Sequence, residues 1–386
     1  MSTSETPLVV SLMFCLDSEL GHIFAYNQSV GQAANLLGWD HVAVGRAAAH
    51  VTSLPAGWNL SLGTQDNYFR FPPLVRIEKL LKLIRSLASV LRSYRDQHRP
   101  VIFLLEWFDP VHLVALGLAL VLSPRGPNWY IWIMHRFELS PMVTKLYRLL
   151  HTVIHWRLGR ARLVLFSESE LVVQAFVKNF GQSGYVLPMP QIVSKREQPK
   201  WPTSDGLMAG KVVCWWPGLP GSAKGLSIMA RLVQMTGPEA EKFSIVADEG
   251  SHLAPVPGGC QVRLLPSGIS RAEYVGWMHS IDIALLPYSP VMYATRTSGP
   301  FGDALATSKP PVVTDGTWMA HELRQHGLEQ LILDWDSPSI LADLLRVARD
   351  PALPAKLARM QAAYADYHSV PGYARVIQRI FAETRQ

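Results

Sequence analysis

The sequence predicts an α/β protein of two doubly wound, Rossmann-like domains facing a cleft, and three observations predict it. Short apolar runs alternate with stretches of helical periodicity along the whole chain, the signature of parallel sheets flanked by helices. The 386 residues, 48% of them hydrophobic, leave room for about two cores at roughly 100–200 residues per domain. The alternation breaks once, from Pro188-Met189-Pro190 through Pro199 and Pro202 to Gly210, in a polar stretch rich in Pro and Gly. Such a stretch marks a linker.

Taken in order, strands are expected at Leu8–Phe14, Asp40–Val44, Val101–Leu105, Trp129–Met134 and Arg162–Phe166. Helices are expected between them at Phe24–Leu37, Leu74–Asp96, Pro110–Leu122, Met142–His155 and Ser169–Phe180. A second series has strands at Lys211–Trp216, Phe243–Ala247, Gln261–Leu264, Ile281–Leu286 and Pro311–Thr314. Its helices are Lys224–Thr236, Arg271–His279, Gly299–Thr307 and Ser337–Arg349, and the tail forms two amphipathic helices, Ala355–Tyr367 and Tyr373–Thr384. This organisation divides the chain into a domain at 1–190, a linker at 191–210, a domain at 211–366 and a terminal helix at 367–386 that packs back on the first domain. In doubly wound sheets ligands bind at the carboxyl ends of the strands, so the cleft is where chemistry is expected.

Cys15, Cys214 and Cys260 are odd in number and far apart, which supports neither a disulfide framework nor a zinc knuckle and points to a reducing compartment. The apolar start of the chain lacks a basic flank and reads as a buried strand rather than a signal peptide. Val111–Leu122 is too short for the ~20 residues a spanning helix needs. Lys and Arg number 36 against 30 Asp and Glu, and the surplus lies wholly in residues 1–200, with 20 basic and 13 acidic. Much of it sits in the amphipathic stretch Arg76–Arg99, and a second cluster spans Lys145–Arg162. A solvated helix face accounts for such spacing, and so does attraction to an anionic membrane surface. No nucleic-acid motif accompanies it.

Candidate site residues stand at strand ends. Gly21-His22 opens the first helix, where a glycine lets backbone N–H groups approach an anion. Glu106 closes the strand Val101–Leu105 as a candidate general base or a helix-start charge, and His135 closes Trp129–Met134, where a neutral imidazole suits a sugar hydroxyl or proton transfer. The loop Trp216–Gly225 carries Gly218 and places Lys224 at a helix start, without Walker spacing. The stretch Thr295-Arg296-Thr297-Ser298-Gly299-Pro300 leads into a helix with Asp303 one turn in. Its amides and guanidinium suit a diphosphate, and Ser298 alternatively caps the helix.

These motifs resemble the retaining glycosyltransferases of family 4, of the GT-B fold, over nearly the whole chain. The resemblance rests on Gly21-His22, His135, Lys224-Gly225, Asp303-Ala304-Leu305-Ala306 and the strand Pro310-Pro311-Val312-Val313. It implies that Lys224 and its loop hold the donor diphosphate, that His135 contacts the donor sugar, and that Asp303 stands at the second acidic position of an E-x7-E motif. The sequence departs from the pattern at Leu219, where the family has arginine, and at Thr295, where it has the first glutamate and contacts the sugar. Arg296 is positioned to supply the missing phosphate charge.

The expected function is transfer of a sugar from a nucleotide diphosphate sugar to a glycan or lipid-linked acceptor, with retention, in surface polysaccharide or glycolipid assembly. His135, Thr295 and Glu106 are the catalytic candidates. Gly21, His22, Gly218, Lys224, Arg296, Ser298, Gly299 and Asp303 are the donor-binding ones. No cofactor or metal is expected beyond the donor itself, and the location is cytoplasmic with peripheral contact to the inner face of an anionic membrane. A sugar-nucleotide 2-epimerase of the same fold, and a non-catalytic sugar-nucleotide-binding partner protein, stay open as alternatives.

Overall fold

The computed structural model describes residues 6–18, 22–63, 72–136, 140–190 and 210–385, the side chain of His22 excepted. Gly21 and all of the expected linker but Gly210 lie outside them. The chain forms two units, residues 1–191 with 369–386, and residues 192–368.

The first unit runs β1 (Leu8–Met13), α1 (His22–Leu36), β2 (Asp40–Arg46), β3 (Trp58–Leu62), α2 (Pro73–Ser93), β4 (Val101–Leu105), α3 (Pro110–Leu122), β5 (Trp129–Met134), α4 (Pro141–Leu158), β6 (Leu163–Ser167), α5 (Glu170–Gln174), α6 (Phe176–Phe180) and β7 (Tyr185–Val186). Its seven strands are ordered β3-β2-β1-β4-β5-β6-β7, and every pairing is parallel. Side chains alternate across the sheet with a period of two. Phe103, Leu105, Ile131, Ile133 and Leu165 pack under α2, α3 and α4. Ile102, Leu104, Trp132, Met134, Val164 and Phe166 point to the other face. There α1 is the crossover helix of β1 and β2, and the face of β4–β6 is covered by the last helix of the chain, α14 (Val370–Thr384), through Tyr373, Ile377, Ile380 and Phe381.

The second unit runs β8 (Val212–Trp216), α7 (Leu226–Gln234), β9 (Phe243–Asp248), β10 (Gln261–Leu265), α8 (Arg271–Ser280), β11 (Ile283–Leu286), α9 (Pro290–Tyr293), α10 (Gly299–Ala306), β12 (Pro311–Val313), α11 (Trp318–Gln325), α12 (Ile340–Arg349) and α13 (Leu353–Tyr367). The strand order is β10-β9-β8-β11-β12, again parallel. Both units are therefore doubly wound, as the alternation of apolar runs implies.

Four local features differ from the sequence-based expectation. The edge strand β3 has the burial pattern of a half-exposed strand, with Asn59 and Ser61 outward, and so lacks an apolar run. The two-residue β7 is too short to show a period. The single helix expected at Ser169–Phe180 is interrupted at Ala175 and ends at Gly181 with φ of 67°. Helix α11 is absent from the sequence-based expectation; its N-cap is Thr317, whose hydroxyl accepts from Ala320 N–H at 3.2 Å.

Candidate functional site

In the second unit β8 and β11 are neighbours, yet the chain leaves them toward opposite edges of the sheet. Their carboxyl ends flank a topological switch point, the place where open α/β sheets bind ligands. The loop after β8 carries Gly218 and Lys224. Gly218 has φ of 85°, and a Cβ built on it would lie 3.0 Å from Lys224 Nζ, so the ammonium rests against bare backbone. Trp216 Nε1–H donates to the Lys224 carbonyl at 3.0 Å, and Ser289 N–H, from the loop after β11, donates to Ala223 O at 2.9 Å. Gly225 closes the junction. Its φ is 84°, and a Cβ there would lie 2.1 Å from Pro287 O, so glycine is required both for conformation and for space.

Arg296 enters from the loop between α9 and α10, exposed, with its guanidinium 5.3 Å from the centre of the Tyr293 ring. The Lys224 pKa is lowered, first by burial and then by the charge of Arg296, with Asp248 acting in the opposite direction. Neither cation forms an ion pair with a carboxylate among the described residues. Two cations held together in a partly buried place repel, and an anion between them relieves the cost. The Ser298 hydroxyl is the N-cap of α10 and accepts from Phe301 N–H at 3.4 Å, so the helix uses it. A Cβ built on Gly299 meets nothing within 4 Å, which leaves open space in front of the first turn of α10. Gly218 thus lies against Lys224, the Arg296 charge acts on that ammonium, and Ser298 and Gly299 follow Arg296 into α10.

Thr295 is half-buried beside Arg296. Asp303 lies deeper: it is buried, and its Oδ2 accepts from Tyr274 O–H at 2.9 Å. Leu219, at the position where the resemblance implies arginine, is 64% exposed.

In the first unit the strand ends obey the same alternation. Glu106, Arg136 and Glu168, beyond β4, β5 and β6, face the α1 and α14 side, and His135 faces the α4 side. Arg136 pairs with Glu168 at 3.2 Å, donates from Nε to Glu106 O at 3.0 Å, and lies 3.2 Å from the centre of the Trp107 ring. Glu106 is buried, and its Oε1 has no hydrogen-bond partner. Its pKa is raised to about 8, by burial first and by the neighbouring Glu168, with Arg136 opposing. Two carboxyl groups around one guanidinium stay neutral overall when one of them keeps its proton. Sequence reasoning missed Arg136 and Glu168; Glu106, Arg136 and Glu168 each stand two residues after a strand residue of that face, Leu104, Met134 and Phe166, and this shared parity was the signal that could have found them.

The raised pKa has a measurable consequence. Below about 4.5 Glu106 is protonated in both folded and unfolded chains, and between about 4.5 and about 8 only the folded chain holds the proton. The associated stabilisation is complete at low pH and disappears as pH rises through about 8. Denaturant titrations across this interval should show stability falling by on the order of a few kcal/mol, and Glu106→Gln should flatten the slope. An identical slope in the variant contradicts this assignment.

The expected opening of His135 onto a cleft is not what the structure shows. The ring is 3% exposed and enclosed by Phe108, Tyr147, His151, Phe176 and Phe180, the last stacked at 5.0 Å. Burial holds its pKa to about 3, so it is a neutral core residue. The strand period decides this: the residue after Met134 must face the α4 layer. Gly21 and the His22 side chain lie outside the described residues.

Cys15, Asp109 and His112 bring potential metal-ligand atoms within 4.8 Å of one another. His112 Nδ1 accepts from Asp109 N–H at 2.8 Å, which places the proton of a neutral ring on Nε2. Neither nitrogen then offers a lone pair without breaking the helix start, so the donor set does not fit a metal.

No protein-family model matches the chain. No curated protein matches it in sequence. Solved structures do. The UDP-forming α,α-trehalose-phosphate synthase of Burkholderia xenovorans aligns over 99% of this chain and 100% of its own, with a TM-score of 0.68 at 12% identity. A trehalose-6-phosphate structure from E. coli bound with UDP-2-fluoro glucose aligns over 98% and 99%, with a TM-score of 0.66 at 13% identity. The N-terminal domain of Candida albicans trehalose-6-phosphate phosphatase aligns over 98% and 97%, with a TM-score of 0.61 at 12% identity. At this identity the likeness establishes the fold, two Rossmann-like α/β units of the GT-B class. The finer resemblance to family 4 rests on the sequence motifs alone.

Proposed function

We propose that the protein is a glycosyltransferase whose second unit binds a nucleotide diphosphate sugar and whose first unit binds the acceptor. The observation that carries this reading is the meeting of Lys224 and Arg296, neither paired with a carboxylate among the described residues, beside the open first turn of α10 at the switch point. Fixed charge and backbone dipoles at that place stabilise the diphosphate as it departs with the bonding electrons, the step on which sugar transfer depends. Asp303, held by Tyr274, and Thr295 line the route to the ribose and sugar in this reading. Glu106, neutral near pH 7, is a proton donor rather than a base. Retention of configuration follows the family resemblance, and no cofactor is invoked. Structural neighbours described as UDP-forming and as bound with a UDP-sugar analogue support a uridine nucleotide as the first donor to test.

The acceptor in this proposal is lipid-linked or a surface glycan, presented at an anionic membrane. α2, α3 and α4 form one layer on the first sheet. Among the large apolar side chains that layer exposes are Leu74, Ile77 and Leu81 of α2, and Met142, Leu149 and Trp156 of α4. Lys79, Lys82, Arg85 and Lys145 lie among them in sequence. Part of the basic surplus has a structural use instead: Arg157 donates to Leu120 O and Ser123 O, and Arg148 to Asn179 O and Lys178 O. No helix among the described residues is long and apolar enough to cross a membrane. Cosedimentation with vesicles containing phosphatidylglycerol should therefore drop about tenfold or more in a Leu149→Ser, Trp156→Ser variant, and fall as salt rises. Equal binding by the variant removes the membrane from this reading.

A second reading, a sugar-nucleotide-binding partner without transfer activity, is favoured by Thr295 in place of a carboxylate and by the burial of His135. The same fold in a domain of a phosphatase is compatible with it. Thermal-shift titration with nucleoside diphosphates and sugar nucleotides, followed by mass analysis of a stabilising donor incubated with the protein, separates the two. Slow release of free sugar supports transfer. Stabilisation without turnover across an acceptor panel supports the binder, and no stabilisation by any nucleotide overturns both.

A further inference from the structure

We infer that the first unit carries a separate binding site for a neutral oligosaccharide, in a groove of about 730 Å³ at the amino-terminal ends of its strands. The groove is independent of the donor crevice and of the proposal made for it. Leu8, Asp40 and Trp58, which begin β1, β2 and β3, lie along it, with Arg99 just ahead of β4. Asn27 also lines it and interacts with Glu106, so the groove runs from the amino-terminal strand ends toward that carboxyl group.

The wall is one face of α1, with Gln28, Gln32 and Asn35 at successive turns, and Gln97 adds a further amide from the opposite side. Gln28, Gln32 and Asn35 are exposed. The floor depends on Gly31, a glycine in the interior of a helix. A Cβ there would lie 2.8 Å from His41 Nδ1, so the missing side chain is what allows the imidazole to reach the helix surface. His41 Nε2 is engaged with Ser11 Oγ at 3.0 Å, and burial holds the ring neutral, with a pKa of about 4.

The chemistry of the lining selects the ligand. Asp40 and Arg99, the charged groups of the groove, form an ion pair with each other. No uncompensated charge is left for a phosphate or a nucleotide. Each amide offers both donors and an acceptor, and so matches hydroxyl groups that themselves donate and accept. Trp58 and Tyr94 also line the groove, Trp58 as a buried ring set edge-on to Phe24 and Tyr94 as a half-buried one against Phe103, so the amides carry the recognition. A neutral polyhydroxylated chain satisfies all of these, and an apolar peptide satisfies none of the amides.

The test is isothermal titration of the full chain with maltohexaose, cellohexaose, chitohexaose and mannohexaose. At least one should bind, uridine diphosphate should not compete, and a Gln28→Ala, Gln32→Ala variant should bind about tenfold more weakly with its uridine diphosphate affinity unchanged. Both replaced side chains are exposed, so the fold is retained. Absence of binding by every hexasaccharide overturns the inference. So does binding that survives the glutamine changes but is lost in Lys224→Ala, which places the sugar at the donor crevice and leaves the transferase proposal standing.

Discussion

Replacing Lys224 with alanine is expected to weaken uridine diphosphate binding by about a hundredfold, and Arg296→Ala by about tenfold or more. A charge-assisted hydrogen bond contributes roughly 1.5–3 kcal/mol, and each 1.4 kcal/mol is about a factor of ten. Lys224 carries the larger share because it is partly buried and rests on the Gly218 backbone, whereas Arg296 is exposed and more screened. The two changes should also be less than additive, since the loss of either cation relieves the repulsion that lowers the Lys224 pKa. Titration calorimetry of the two single variants and the double variant gives the coupling directly. If Lys224→Ala retains the parent affinity, the crevice between β8 and β11 is not the diphosphate site.

Ending the chain at His368 is expected to abolish cooperative folding of the first unit. The deletion removes Tyr373, Ile377, Ile380 and Phe381, all buried, and uncovers the faces of β4, β5 and β6 at Leu104, Trp132, Met134 and Phe166. At about 1.5–3 kcal/mol for each of the four large apolar side chains, the loss is on the order of 6–12 kcal/mol, as much as the whole stability of an ordinary domain. Phe381→Ala alone should cost about 3 kcal/mol, readable as a lowered denaturation midpoint. A truncated chain that unfolds at the parent midpoint contradicts the role assigned to α14.

Much of the candidate site was legible because its parts are local. Lys224 and Gly225 announce themselves as a strand-to-helix loop, and Arg296-Thr297-Ser298-Gly299-Pro300 as another, from residue types that have few alternative uses. Gly225 is instructive in a different way. Its need for a positive φ was foreseeable from its place in the loop, but the clash at 2.1 Å with Pro287 O depends on a strand 60 residues away. His135 was misplaced for want of the same kind of information: a histidine closing a strand reads alike whether it faces an open crevice or the rings of α4 and α6. The count of two along β5 settles the side it faces, and only the packing of Tyr147, Phe176 and Phe180 settles that the space there is filled.

The sequence by itself determined the two doubly wound sheets, since runs such as Val101–Leu105 and Ile283–Leu286 can be buried only with helices on both faces. It also determined where the loops that face ligands fall. Only the tertiary structure decided which helix covers which face. In the first sheet α2, α3 and α4 lie on one side and leave the other side of β4–β6 to α14, which lies far along the chain. It also decided that Lys224 and Arg296 meet, and that Glu106, Arg136 and Glu168 share one buried charge balance. These are contacts between residues distant in sequence, and their energies depend on burial and charge separation, which have no local signature in the chain.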